Sequence, residues 1–295
     1  MRTGGEAGFT LPEVMLAIAL GTSLTAAALM LVPDTLRSSV RLGTLTQLQL
    51  NLQTVSQLLR SELMRAGHAG CLGRLPAGEQ PLEIVAAGTK KLAKGHILNR
   101  SSRSSSETAF AVSYAVPPAV AINRQVNGSN QISFSVAATD IAKESDFARV
   151  LITDCSTGAI RTNMTLDKSG AIYNLTNLTA AELSSMTGDL FLYRYVQKGY
   201  YIRPISQKKG ADGNKIYSLY EAPAGGSSSE LIQGIARMRT VSSGGQIRLG
   251  LLLEDFDGGL NGPGGAQTYG LAGIDVPHDG GRAAKTLNIV VEAAP

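Results

Sequence analysis

The residues able to do chemistry in this chain are few and scattered. Three histidines, His68, His96 and His278, lie far apart. Neither a Gly-x-Ser-x-Gly elbow nor a His-Glu-x-x-His pair surrounds them, so they read as surface histidines. Asp255-Phe256-Asp257-Gly258 opens like a calcium loop. Its fifth position is Gly259 and its twelfth is Ala266, where an EF-hand needs oxygen ligands and a bidentate glutamate. A calcium site of another kind stays open in this acidic, glycine-rich stretch. Lys90, Lys91, Lys94, Arg100 and Arg103 form a local basic region with no aromatic residue between them. They could attract phosphate but offer no stacking platform, so a solvated loop without specific nucleic-acid binding is expected. The exceptional residue is Glu13, the one charge in the apolar run from Phe9 to Val32. An ionisable group inside a run of membrane length is costly, and for that reason it marks a functional candidate.

Composition limits the setting. The chain has 295 residues, 43% of them apolar and 17% charged, with no Trp and a net charge of +4. That hydrophobicity excludes disorder as the main state. A single run long enough to span excludes a polytopic membrane protein. The mild positive excess does not make the basic stripe of a dedicated DNA reader.

As a helix, the 24 residues from Phe9 to Val32 extend about 36 Å, enough to cross a bilayer with some tilt. A secretory signal peptide is the plain alternative. It needs a positive leader, a shorter apolar core and a small-residue cleavage site after that core. Here the leader MRTGGEAG carries one Arg and one Glu, and the small residues precede the apolar run. Charge gives no clear orientation, because Arg2 and the amine face Glu6 on one side while Arg37 and Arg41 lie on the other.

Gly8-Phe9-Thr10-Leu11-Pro12-Glu13, followed by this long apolar stretch, resembles the class III signal of type IV prepilins. The resemblance implies that a membrane peptidase cuts after Gly8, that Phe9 becomes a methylated amino terminus, and that Glu13 is retained at the fifth mature position for assembly. It also implies a cytoplasmic leader. Physical chemistry agrees with the assembly role. In a bundle of such helices, Glu13 of one subunit can meet the terminal amine of its neighbour, each charge offsetting the other's desolvation. Pro12 suits the same cut, since its missing N–H falls among the helix's first orphan donors.

Beyond Val32 a kink is expected at Pro33. Leu45, Leu48, Leu52, Val55, Leu59, Leu63 and Ala66 then form a narrow stripe at spacings of three and four. Helix is expected to end at Gly67. The organisation implied is a leader over 1–8, an apolar helix half over 9–32, an amphipathic half over 33–66 and a β-rich periplasmic head over 67–295. The fold class is α+β, type IV pilin-like: one long helix packed on an antiparallel sheet. Strands are expected at Leu82–Ala86, Thr108–Val116, Gln131–Val136, Ala148–Thr153, Ala159–Thr165, Asp189–Val196, Gly199–Ile205, Lys215–Tyr220, Gln246–Leu253 and Lys285–Glu292. A hairpin turn is expected near Gln197-Lys198. A capped helix is expected at Thr179–Met186, and a long surface loop over Asp257–Gly281.

Arg65-Ala66-Gly67-His68-Ala69-Gly70-Cys71, Leu151-Ile152-Thr153-Asp154-Cys155, Tyr200-Tyr201-Ile202, Ser218-Leu219-Tyr220 and Leu231-Ile232-Gln233-Gly234-Ile235 are similar to segments of the PilW group of minor pilins. That resemblance implies a non-enzymatic subunit without cofactor or metal. It would reside in the inner membrane and then at or near a pilus tip, where it helps to start assembly. The implied partners are other minor pilins, the major pilin, the prepilin peptidase and the inner membrane, with a non-pilin tip adhesin as an optional one. For a chain exported in this way, Cys71 and Cys155 read as one disulfide; two buried free thiols are the alternative. Two rivals remain: a J-type minor pseudopilin of a type II secretion system, and a membrane-anchored periplasmic binding protein or enzyme.

Overall fold

A computed structural model describes residues 10–86, 108–122, 125–127, 131–135, 149–162, 166–169, 172–175, 184–224, 227–258, 260, 264–278 and 281–292. The first element is α1 (Leu11–Arg65), a single helix of 55 residues. Pro12 falls in its first turn, where no N–H is required. The helix continues through Pro33 as one element.

The strands follow as β1 (Leu82–Ala86), β2 (Thr108–Ile122), β3 (Gln125–Asn127), β4 (Gln131–Ser135), β5 (Arg149–Thr153), β6 (Gly158–Thr162), β7 (Leu166–Ser169) and β8 (Ile172–Leu175). After these come β9 (Leu190–Lys209), β10 (Lys215–Pro223), β11 (Ser229–Gln233), β12 (Ile235–Ser243), β13 (Gln246–Glu254), β14 (Gln267–Leu271), β15 (Ile274–His278) and β16 (Ala284–Glu292). They pair antiparallel. The main sheet has the order β1-β2-β9-β10-β11, with β5 beside β9 and β6 beside β5. A second sheet is β12-β13-β16, a third is β3-β4-β8-β7, and β14 pairs only with β15. One long apolar helix followed by antiparallel sheets is the α+β layout expected.

The amphipathic stripe does what its spacing predicts. Leu48, Val55, Leu59, Leu63 and Ala66 are buried. They share one core with Phe110, Tyr114 and Tyr200 of the main sheet and with Leu249, Leu251 and Ile289 of the second sheet. From Thr10 to Gly43, by contrast, every residue of the helix is exposed. The head therefore holds only the distal part of α1 and leaves about 50 Å of it uncovered.

Three expectations need correction. The hairpin near Gln197-Lys198 does not form, because β9 is one strand of 20 residues. Lys198 and Gly199 pair with Val112 and Ala111 on one side and with Pro223 and Ala222 on the other. A backbone bonded along both edges has no freedom to turn there. The Asp257–Gly281 stretch is not one loop, since it contains the β14–β15 hairpin. Leu271 and Val276 of that hairpin are buried against Leu252. Gly250 permits the contact: a Cβ on it would lie 2.5 Å from the Ala272 nitrogen. Asn288 clamps the hairpin, accepting the Ala272 N–H at 2.9 Å and donating to the Gly270 carbonyl at 3.1 Å. Last, His278 is not on the surface but 2% exposed. Of the expected Thr179–Met186 helix, Ser184 and Ser185 are helical, while Thr179 and Glu182 lie outside the described residues.

Candidate anchoring and assembly site

The apolar part of α1 is the one helix among the described residues long and apolar enough to cross a membrane. Its hydroxyls are all turned inward to its own backbone. Thr22 donates to the Ala19 carbonyl at 3.0 Å, Ser23 to Leu20 at 2.9 Å and Thr25 to Gly21 at 2.7 Å. These bonds remove polar groups that hydrocarbon could not satisfy, a device that composition alone did not disclose. Glu13 stands apart from this pattern. It is exposed, and its carboxylate accepts one long hydrogen bond, 3.5 Å, from the Thr10 hydroxyl. The apolar part of the helix thus carries a single charge with spare acceptor capacity, in its first turn. Gly8 and Phe9 lie outside the described residues, as does the basic region over 90–103.

At the opposite end the helix is fastened to the head. Cys71 and Cys155 form a disulfide with an S–S distance of 2.10 Å and a Cα–Cα distance of 5.0 Å. Between Arg65 and that bridge the chain runs beside β2: the Gly67 N–H donates to Ser113 at 2.9 Å, and the Ala115 N–H donates to His68 at 2.7 Å. The Tyr193 ring fills the space beside Gly70, where a Cβ would come within 2.3 Å of it. Its hydroxyl accepts the Cys71 N–H at 3.1 Å.

The other half of the bridge sits in a strained turn. Cys155 has φ 67°, the left-handed region that a side chain seldom adopts. Asp154 holds that turn by accepting the N–H groups of Ser156 at 3.0 Å, Thr157 at 2.6 Å and Thr187 at 3.0 Å. These donors, the Thr157 N–H foremost, hold its carboxyl well below the usual carboxylate range.

Between stripe and sheet lies a polar cluster that the sequence reading missed. Glu62 is 6% exposed. It accepts the Tyr114 hydroxyl at 2.8 Å and stands 3.5 Å from Lys198 and 3.7 Å from Arg65. Lys198 also meets Glu221 at 3.3 Å, and Glu221 accepts the Tyr200 hydroxyl at 3.2 Å. Burial raises the Tyr114 pKa, and the bond to Glu62 raises it further. For Lys198, burial acts downward, but Glu62, Tyr114 and Glu221 outweigh it and the net shift is upward. The only advance signal was a glutamate one residue from a stripe leucine.

A second buried network surrounds His278, whose Nε2 lies 2.7 Å from Glu254. Arg282 donates to the other Glu254 oxygen at 3.2 Å and pairs with Asp212. Asp255 is occupied with its own turn, accepting the N–H groups of Asp257 at 3.0 Å and Leu260 at 2.6 Å. Among the described residues no three His, Cys, Asp or Glu side chains are placed to hold a metal ion.

Comparison of the chain with protein-family models, with curated proteins and with solved structures yields no match in any of the three.

Proposed function

We propose that this chain is a minor pilin of PilW type, a non-enzymatic subunit of a type IV pilus. It is inserted in the inner membrane with its head in the periplasm. After the peptidase cuts behind Gly8, it joins other minor pilins and the major pilin at or near the filament tip. The observation that carries this reading is one conjunction. A Gly8-Phe9 junction and a lone glutamate at the fifth position beyond it open a helix of 55 residues, and the head leaves the first part of that helix uncovered. A soluble core helix would be buried along its length, and an enzyme would have no use for Glu13 there. The fixed junction adds support, because a subunit whose helix is set by a filament core needs a head in a defined orientation.

Mass spectrometry of the chain co-expressed with a prepilin peptidase tests the proposal. The expected mature terminus is methylated Phe9; a start beyond Val32 overturns it. Glu13→Leu should leave the cut intact and lower recovery of the chain in sheared pili. Gene neighbours that encode a secretion system instead of pilus subunits would favour the pseudopilin.

A further inference from the structure

Arg37 and Arg41 are unexplained by orientation. With the head outside the cytoplasm they stand on the side where basic residues are disfavoured near a membrane. They are exposed, and among the described residues no carboxylate lies within ion-pair distance of either.

Helix geometry places both together. At 100° per residue Arg37 and Arg41 lie about 40° apart, one turn from each other. Leu48, a buried contact with the head, falls at the angle midway between them. Both guanidinium groups therefore occupy the helix face directly beneath the head.

Axial position supplies the ligand. Arg37 stands about 7.5 Å and Arg41 about 13.5 Å beyond Val32, the last residue of the apolar run. With a hydrocarbon layer of about 30 Å in a bilayer of 40–45 Å, the headgroup layer is roughly 5–7 Å deep on each side. Arg37 falls at its outer limit. Helix side chains lean toward the amino terminus, so the long Arg41 side chain reaches back toward the same layer. The first residue that the head half-covers is Thr44, which leaves the layer open to both. Asp34 is the one opposing charge in these turns, and the local balance stays positive.

We infer that Arg37 and Arg41 bind the phosphodiester groups of lipids in the leaflet facing the head, and so set the depth of the helix before assembly. The inference rests on the anchor reading proposed above. A guanidinium pair presents two forked donor sets, which suit phosphate oxygens on adjacent lipids.

The test uses the full chain reconstituted in two kinds of vesicle: phosphatidylglycerol with phosphatidylethanolamine, and phosphate-free digalactosyldiacylglycerol. Flotation after a carbonate wash reads insertion. A spin label on Ser39→Cys, on the face away from the head, reads depth through its accessibility to oxygen and to a water-soluble quencher. The label should sit about one helical turn, ~5 Å, deeper in the phospholipid vesicles. Arg37→Gln with Arg41→Gln should abolish that difference, Arg60→Gln should preserve it, and excess inorganic phosphate should not reverse it. A chain that fails to float refutes the anchor itself. One that floats at equal depth in both lipids, or whose double variant keeps the difference, overturns the phosphate inference alone. Reversal by inorganic phosphate would also overturn it, because the pair would then be a free-anion site.

Discussion

Glu62 on the helix and Lys198 on the central strand face each other at 3.5 Å, although 136 positions separate them in the chain. Their side chains are 8% and 24% exposed, so this is a mostly buried pair and not a surface contact. It joins α1 to the central strand of the main sheet through a charged contact beside the buried stripe.

Removing both partners should therefore cost less than the two single losses added together. Glu62→Gln or Lys198→Met alone should destabilise the folded chain by about 2–3 kcal/mol, below the extreme for a fully buried pair because Lys198 keeps some water. The double variant should recover at least about 1 kcal/mol of the summed loss. Denaturant titration of the four proteins in detergent measures the coupling. Strict additivity would show that the pair makes no energetic contact.

The same cluster sets an alkaline limit. Tyr114 and Tyr200 have raised pKa values, burial first and Glu62 next among the causes. Buried Tyr195 is pushed up to about 12. Each keeps its proton in the folded state at a pH where the unfolded chain, near 10, would release it. Lys198 likewise holds its proton above the usual lysine value. The folded state then binds more protons than the unfolded one, so stability should fall progressively as pH rises above about 10. Phenolate absorbance should show these three of the nine tyrosines ionising only together with unfolding. All nine ionising near pH 10 with circular dichroism unchanged would contradict this.

The disulfide closes a separation of 84 residues, for which chain entropy gives on the order of 4 kcal/mol. Cys71→Ser, Cys155→Ser and the double variant should all lose about that amount, since each opens the same loop. Thiol titration of the denatured, non-reduced parent should find no free thiol. Two free thiols, or variants that melt with the parent, would exclude a stabilising bridge.

Gly250→Ala should lift the β14–β15 hairpin without unfolding the helix–sheet core. The added methyl would lie 2.5 Å from the Ala272 nitrogen and 2.7 Å from the Leu271 Cα, and backbone atoms cannot rotate away. Limited proteolysis should gain a cut within residues 264–278 while the remainder stays resistant. An unchanged digestion pattern would mean that the contact is not tight.

How much of this was legible in the sequence depends on the range of the physics. The helix was, because the apolar run and the stripe from Leu45 to Ala66 repeat a local period. β1 appeared with its observed ends, a short apolar run that starts just after Pro81. The cysteine pair was readable because only two cysteines exist. β9 was not, since Gly199 looks like a turn until the registers of β2 and β10 are known. β12 was overlooked although Arg237, Met238, Arg239 and Thr240 alternate in the required way. The glycines around 257–281 suggested flexibility, when Gly250 upstream was the one allowing close contact. His278 and Glu62 owe their burial to Glu254 and Lys198, distant partners that no local window contains.

The bridge between Cys71 and Cys155 has a mechanical consequence. In the filament proposed above, load along the helix arrives at Arg65 and then at Cys71. Without a crosslink it would pass along the chain to edge strand β1 and peel that strand off one bond pair at a time. The bridge instead routes tension to Cys155 and into β5, whose residues Val150 to Thr153 pair with Arg194 to Phe191 of β9. The strands and loops that lie in sequence between Cys71 and β5 are bypassed. Force enters the sheet at an interior strand, and the head can bear traction without unravelling from its margin.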